Sequence, residues 1–144
     1  MGTFKHILAA TDFSEASRPA LDLAVSIARD SGADLTVVHT CEVPPYADIT
    51  LVDLVTPLAD VAQTKLDALL VAVRNVCPRT TGVLKVGVAW EQILAVAGEA
   101  TSDLIILGTH GRRGVAHALM GSVAERVVRL SPIPVLTVRS RVAG

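Results

Sequence analysis

The sequence has few aromatic residues and almost no net charge, and both features argue against nucleic acid as a partner. It contains two phenylalanines, one tyrosine and one tryptophan among 144 residues, with a formal net charge of −1. Single strands are usually bound by stacked aromatic rings, and duplexes by a strongly basic surface. We therefore predict that the protein has no nucleic-acid partner.

Long apolar runs and paired cysteines are missing as well. No apolar run approaches the roughly 18 residues of a membrane-spanning helix, and the first residues do not read as a signal peptide. Cys41 and Cys77 stand alone, without a CxxC pair or a histidine at ligand spacing. Buried, reduced thiols are therefore favoured over a metal or redox role. These features predict a cytoplasmic protein with no membrane partner.

The signatures of three common enzyme classes are absent: there is no GxxxxGK[ST] loop, no GxSxG elbow and no HExxH pair. The acids at 48, 53 and 60 do not form a paired acid/base site, and a solvated polar face explains them. His6 and His39 lie in or beside apolar runs, which is typical of structural histidines. We assign no catalytic residue and no metal ligand.

What the chain does contain is a regular alternation of apolar runs and amphipathic segments, in a composition that is 51% hydrophobic. Strands are predicted at 5–11, 35–40, 82–88, 103–108 and 132–138. Helices are predicted from a late start near Pro19 to Gly32, and at 58–76, 90–100 and 122–130, with 41–56 mainly irregular. This β-α alternation predicts a doubly wound α/β fold: one domain over 1–144 whose parallel sheet carries helices on both faces.

Glycines and cations concentrate after the fourth predicted strand. Gly108, Gly111 and Gly114 follow the apolar run at 104–107, and Gly121-Ser122 opens the last helix. Between residues 109 and 130 lie four arginines, at 112, 113, 126 and 129, and one acid, Glu125, which leaves 9 basic against 13 acidic residues elsewhere. Gly121 is expected to bring the backbone close to a ligand, with a positive φ. The segment predicts an anion site built from backbone N–H groups and the helix start.

Asp12 follows the first strand directly, as the glycine loop follows the fourth. Ligands of open α/β sheets bind at the carboxyl ends of strands, where the strand order reverses. If these two strands are neighbours, a carboxylate faces a phosphate cradle, which indicates a nucleotide site; the residues alone leave that adjacency open. The alternative is that the glycines only turn the chain, but the arginines and Asp12 favour a ligand. His110 and His117 in the loop suit phosphate contact and solvent exposure equally.

Two motifs resemble those of the universal stress protein family. Gly108-x2-Gly111-x9-Gly121-Ser122 is similar to the family's nucleotide motif, and Thr11-Asp12-Phe13-Ser14 to its first strand-to-helix turn. The resemblance covers essentially the whole chain, including Ile133-Pro134-Val135. It implies a five-stranded, Rossmann-like sheet in the order 3-2-1-4-5, of the adenine nucleotide alpha hydrolase type, and kinship with the ATP-binding branch.

The same resemblance implies a ligand set. The residues implied are Ala10, Thr11, Asp12 and Thr40 at the adenine, Leu107 and Gly108 at base or ribose, His110, Gly111 and Arg112 toward ribose and phosphate, and Gly121, Ser122 and Val123 at the phosphates. The implied ligand is ATP or another adenine nucleotide, with or without Mg²⁺, and the implied partner is a second copy paired through 134–138.

The function so implied is that of a nucleotide-dependent stress-response protein with at most slow hydrolysis. Two alternatives stay open: a nucleotide-processing enzyme that uses the same crevice, and a dimeric interaction module that binds no nucleotide.

Overall fold

Five parallel strands and four main helices alternate along the chain in a computed structural model that describes residues 3–44, 46, 48–110 and 120–140. The elements are β1 (His6–Ala10), a 3₁₀ turn (Glu15–Ser17) leading into α1 (Arg18–Ser31), β2 (Asp34–Glu42), α2 (Ile49–Arg74), β3 (Thr80–Gly87), α3 (Ala89–Glu99), β4 (Leu104–Gly108), α4 (Ser122–Leu130) and β5 (Val135–Val138). Within the described ranges, no helix is both long and apolar enough to cross a membrane.

The sheet has the order β3-β2-β1-β4-β5, with every pair parallel. The predicted fold class and strand order are therefore confirmed. β1 lies directly beside β4, with Ile7 opposite Leu104 and Ala9 opposite Ile106, which settles the adjacency that the residues alone left open. The chain winds one way from β1 to β3 and the other way from β4 to β5, so the order reverses between β1 and β4.

Both faces of the sheet are covered, which explains why β4 is apolar throughout and β1 is apolar after His6, without alternation. One layer packs Ile7, Ala9 and Ile106 under α1 and α2, and the other packs Leu8 and Ile105 under α3 and α4. Successive residues of one strand enter opposite layers because side chains alternate along it. The layer under α3 and α4 also holds Leu107, and it reaches the end of the sheet where the candidate site lies.

The ends of α1 follow the predicted signals. Ser14 caps the 3₁₀ turn before the helix, where its hydroxyl accepts a hydrogen bond from the Ser17 N–H. Ser17 precedes α1 without a side-chain cap, and Pro19 lies in the first turn, where no intrahelical donor is lost. Gly32 closes the helix with a φ of 67°, the left-handed conformation that glycine adopts without a side-chain clash. The predicted late start and glycine stop of this helix are confirmed.

The prediction of an irregular segment over 41–56 is wrong. β2 runs on to Glu42, and α2 already begins at Ile49, where the Asp48 carboxylate caps it by accepting from the Leu51 N–H at 3.0 Å. Pro57 therefore lies inside the helix. The helical period is hidden in this half because most of its side chains are exposed, so no single face needs to be apolar. Asp48 is a capping residue rather than part of a solvated face.

Candidate functional site

The crevice between the ends of β1 and β4 is open because the strands of the sheet end at different levels. β1 last pairs at Ala10 with Val38, whereas β2 continues to Glu42 beside β3. The Thr11 N–H donates to the Val38 carbonyl at 3.0 Å. Because alternate residues of a parallel strand bond to opposite neighbours, the Thr40 N–H and C=O point to the same side as those of Val38. On that side β1 has already ended.

The side chain of Thr40 also lacks a partner. By alternation with Val38 it lies on the face of the sheet that α3 and α4 cover. Its Oγ1 is buried and forms no hydrogen bond within the described residues. Buried polar atoms are nearly always paired in folded proteins. Thr40 therefore presents one orphaned hydroxyl and an open backbone edge at the same end of the sheet.

The turn after β1 is held by its own hydrogen bonds. Asp12 Oδ1 accepts from the Ser14 N–H at 2.9 Å and from the Ser14 hydroxyl, and Thr11 Oγ1 accepts from the Phe13 N–H at 3.1 Å. Phe13 has a φ of 65°, which is uncommon for a residue with a bulky side chain. Such a conformation persists only where surrounding contacts enforce it.

His39 supplies one of those contacts. Its ring lies 4.3 Å from the Phe13 ring, centroid to centroid, and its Nδ1–H donates to the Thr11 carbonyl at 2.8 Å. This confirms His39 as a structural histidine. The contact fixes the shape of the turn that carries Asp12, and nothing in the residue spacing pointed to it.

Close backbone packing joins the end of β4 to the start of α4. The Gly121 N–H donates to the Thr109 carbonyl at 2.6 Å, and a Cβ on Gly121 would lie 3.3 Å from that carbonyl oxygen and 3.7 Å from the Cα of His110. A Cβ on Gly108 would lie 3.2 Å from the His110 carbonyl. The predicted positive φ is wrong: Gly121 has a φ of −71° and a ψ of 166°. Crowding, not backbone conformation, explains this glycine.

The first turn of α4 carries N–H groups that lie outside the helical hydrogen bonds. Gly121 is the residue before the helix, and no side chain caps it. The first intrahelical bond runs from the Glu125 N–H to the Gly121 carbonyl, so the N–H groups of Ser122 and Val123 lie before the ladder begins. N–H groups of this kind and the positive end of a helix dipole favour negative charge nearby.

His110 completes this side of the crevice. Its Nδ1 lies 3.3 Å from the Thr109 hydroxyl, while its Nε2 is buried without a hydrogen bond in the described part of the chain. Ser102 Oγ is likewise buried and unpaired there, but Ser102 precedes β4 and so lies at the opposite end of the sheet. Two orphaned polar atoms, on Thr40 and His110, thus fall at residues that the sequence predicted for the site.

The cations are distributed differently from the sequence prediction. Arg126 and Arg129 both approach Glu125, at 4.0 and 2.9 Å, and Arg126 also lies 5.7 Å from the centre of the Trp90 ring. These two arginines belong to the surface of α4 rather than to the loop. Gly111, Arg112, Arg113, Gly114 and His117 lie outside the described residues.

Neither cysteine has the electrostatics of a reactive thiol. Burial raises the pKa of the Cys41 thiol. Burial also raises the pKa of Cys77, against a smaller lowering by Arg29. Cys77 is buried, as predicted, whereas Cys41 is only half-buried. Both thiols stay protonated at neutral pH, which supports a structural role for each.

A family model described as the universal stress protein family matches residues 3–139. The chain belongs to the universal stress protein family. It is 36% identical over 137 residues to a universal stress protein of Thermus aquaticus, covering 94% of this chain and 99% of that one. It is 33% identical over 141 residues to universal stress protein A homolog 1 of Coxiella burnetii, covering 94% and 96%. The solved universal stress protein UspA from Lactobacillus plantarum matches with a TM-score of 0.82 at 26% identity, covering 96% of this chain and 100% of that one.

In this universal stress protein the predicted residues that the structure describes fall at the carboxyl edge of β1, β2 and β4 or at the start of α4. They are Ala10, Thr11, Asp12, Thr40, Leu107, Gly108, His110, Gly121, Ser122 and Val123. The Leu107 side chain is buried in the core, so only its backbone is available at the edge. Sequence reasoning missed Thr109, whose carbonyl holds Gly121.

A second concavity of this universal stress protein lies beside the turn that carries Asp12. A shallow cleft of about 670 Å³ lies between the start of α1 and the middle of α2, where Lys65 and Leu69 form one wall. Thr11 and Ser14 also line it. The turn that carries Asp12 therefore forms part of the wall of this cleft.

Proposed function

We propose that this universal stress protein binds an adenine nucleotide in the crevice between β1 and β4. ATP is the ligand we propose, and a nucleotide-dependent stress response the role. The proposal rests on two surfaces whose polar groups lack hydrogen bonds among the described residues. They lie on either side of the point where the strand order reverses. One is the open edge of β2 at Thr40, beside Asp12, and the other is the uncapped start of α4 at Gly121.

The β2 edge suits the base. Adenine presents an acceptor, N1, next to a donor, its 6-amino group. The Thr40 N–H and C=O supply the complementary donor and acceptor from one residue. Guanine presents the reverse order, so its carbonyl would face a carbonyl. Asp12 stands on the same side and is the residue we propose at the adenine end of the ligand.

The α4 start suits the phosphates. The N–H and hydroxyl of Ser122, the N–H of Val123 and the helix dipole all favour negative charge. Gly121 supports this by letting the helix start lie against the Thr109 carbonyl at the end of β4. Gly111 and Arg112 remain predicted contacts of the ribose and phosphates. His110 Nε2 is a buried ring nitrogen at the same end of the sheet.

Binding with at most slow hydrolysis fits these residues better than rapid turnover. Phosphoryl transfer needs a placed metal and an oriented water as well as a phosphate cradle. Within the described residues, no three His, Cys, Asp or Glu side chains converge on a metal site. Mg²⁺ accompanying ATP would be held mainly by the phosphates.

Two structural neighbours are described as nucleotide complexes. One is a universal stress protein in complex with cAMP, with a TM-score of 0.70 at 24% identity. The other is an Archaeoglobus fulgidus universal stress protein in complex with dAMP, with a TM-score of 0.58 at 21% identity. At such identities they share the fold with this chain, and our ligand assignment rests on Thr40, Asp12 and the start of α4.

We also propose a homodimer through residues 134–138. Among the residues that the structure describes, β5 pairs with β4 alone and forms one edge of the sheet, and Leu136 on it is exposed. Open strand edges readily pair with another chain. A cytoplasmic location stays our prediction.

Mass spectrometry of small molecules released from the denatured, purified protein tests the nucleotide proposal, together with calorimetric titration of the emptied protein with ATP and GTP. We expect adenine nucleotide in the released fraction and weaker binding of GTP than of ATP. Release of no nucleotide, combined with no heat on titration with ATP, would favour the non-binding interaction module.

A further inference from the structure

The hydrogen-bond ladder between β1 and β2 stops one step before it reaches Thr40. In the last regular step Ala10 lies opposite Val38, and the Thr11 N–H donates to the Val38 carbonyl at 3.0 Å. Because the bonds of a parallel ladder repeat at alternate residues, the next step would join the Thr40 N–H to the Thr11 carbonyl and the Phe13 N–H to the Thr40 carbonyl. Neither bond forms among the described residues.

Side chains take both places in the missing step. The Thr11 carbonyl oxygen lies 2.8 Å from the Nδ1 of His39, and because a carbonyl can only accept, this nitrogen carries the proton. The Phe13 N–H donates to the Thr11 hydroxyl at 3.1 Å. The two backbone groups at the end of β1 that would otherwise bind Thr40 are therefore already paired with side chains.

The place of His39 in β2 makes its contact possible. Side chains alternate along a strand, so His39 follows Val37 onto the face that α1 and α2 cover, where its ring lies 4.3 Å from the Phe13 ring. Its neighbour Thr40 follows Val38 onto the opposite face. Phe13, with a φ of 65°, turns the chain at the same point. His39 thus holds the end of β1 beside β2 without use of the Thr40 backbone.

We propose that His39 is a positioning residue for the base, because its imidazole binds the Thr11 carbonyl and so leaves the Thr40 N–H open to adenine. This inference rests on the proposed nucleotide site, since an open N–H serves binding only if a base lies there. Thr11 has the matching effect on the second group: its hydroxyl holds the Phe13 N–H, which leaves the Thr40 carbonyl open. A donor and an acceptor that a longer strand pair would use are thereby kept for the ligand.

The simpler alternative is that His39 only supports the shape of the turn that carries Asp12. Both roles predict weaker ATP binding when His39 is replaced. Only the positioning role predicts that the Thr40 N–H changes its hydrogen-bond partner. The decisive measurement is therefore the hydrogen bonding of this N–H, and not the stability of the fold.

NMR spectroscopy of the nucleotide-free protein tests the hydrogen bonds with one variant and one matched control. His39→Phe keeps a ring against Phe13 and removes the donor. We expect the Thr40 N–H then to donate to the Thr11 carbonyl, so that a through-hydrogen-bond coupling between the two groups appears. Exchange of the Thr40 amide with solvent should slow about tenfold. His6→Phe makes the same change at the opposite end of the sheet, at a side chain that is 43% exposed, and should alter neither signal.

Calorimetric titration then links the open N–H to the base. The ATP affinity of His39→Phe should fall about fivefold, the loss expected for one hydrogen bond, whereas inorganic triphosphate should bind as it does to the parent. His39→Asn carries an N–H donor at the same distance along the side chain as Nδ1, so it should restore most of the ATP affinity. His6→Phe should bind both ligands as the parent does.

Three results would overturn the proposal. One is a parent whose Thr40 N–H is already bonded to the Thr11 carbonyl without nucleotide, which can be measured even if a variant does not fold. The others are a folded His39→Phe in which that bond is missing, and equal losses of ATP and triphosphate binding. A parent that binds no nucleotide would contradict the nucleotide site itself, and the NMR result would still decide how His39 acts on the strand.

Discussion

The turn that carries Asp12 and the other walls of the crevice differ in how their polar groups are paired. In the turn, carboxylate, hydroxyl and backbone groups are tied to one another through Ser14, Thr11 and His39. In the other walls, the start of α4 keeps its first N–H groups outside the helical ladder, and Thr40 Oγ1 and His110 Nε2 have no partner in the described chain. The turn is held by its own hydrogen bonds, and the other walls carry polar groups that are available to a ligand. A fixed turn beside available donors is the arrangement expected of a preorganised site.

The largest expected effect comes from a substitution at the start of α4, whose first N–H groups lie outside the helical hydrogen bonds. Gly121→Val puts a Cβ 3.3 Å from the Thr109 carbonyl oxygen, and its branched side chain lies at the proposed phosphate site. ATP affinity should fall tenfold or more, about 1.4 kcal/mol, as measured by isothermal titration calorimetry. The φ of −71° is open to valine, so unfolding should change less than binding.

Gly98→Val is the matched control, because a Cβ at Gly98 in α3 would meet no atom within 4 Å. It should leave ATP affinity unaltered. If Gly121→Val bound ATP as well as the parent does, Gly121 would be a packing residue only and the phosphate site at α4 would be wrong.

A smaller effect is expected from a substitution in the turn after β1, which carries Asp12. Asp12→Ala should weaken adenine nucleotides about fivefold, or about 1 kcal/mol, and leave inorganic triphosphate nearly unaffected, since the carboxylate serves the base end. Competition titrations with ATP and triphosphate measure this difference. Asp12→Asn keeps an oxygen that can accept from the Ser14 N–H, so it separates the shape of the turn from its charge. Equal losses for ATP and triphosphate would place Asp12 at the phosphates instead.

Much of the fold could be predicted because buried parallel strands and amphipathic helices leave strong periodic signals. The pairing of β1 with β4 came only from the family resemblance, since these strands are distant in sequence and their contact depends on which way the chain winds. The start of α2 was missed because most side chains of its first half are exposed and Pro57 lies inside the helix, which hides the helical period. Spacing identified Gly121, but the reason for glycine there, crowding against Thr109, depends on the path of the β4 loop. Nothing in the order of the residues indicates that Phe13 has a positive φ.

The smallest effect should come from removing one orphaned atom. Thr40→Val keeps the shape of the side chain and removes a buried hydroxyl that has no hydrogen bond in the described structure. Without ligand, the free energy of unfolding should stay the same or rise by up to about 1 kcal/mol, because no unpaired oxygen is then buried. Denaturant unfolding with and without ATP measures both states. If the hydroxyl contacts the nucleotide, the stabilisation that ATP gives should shrink by a similar amount, whereas the backbone edge at residue 40 still binds the base. An apo protein destabilised by more than about 1 kcal/mol would mean that the hydroxyl is already paired in solution. The contrast between the turn that carries Asp12 and the other walls of the crevice would then no longer hold at Thr40.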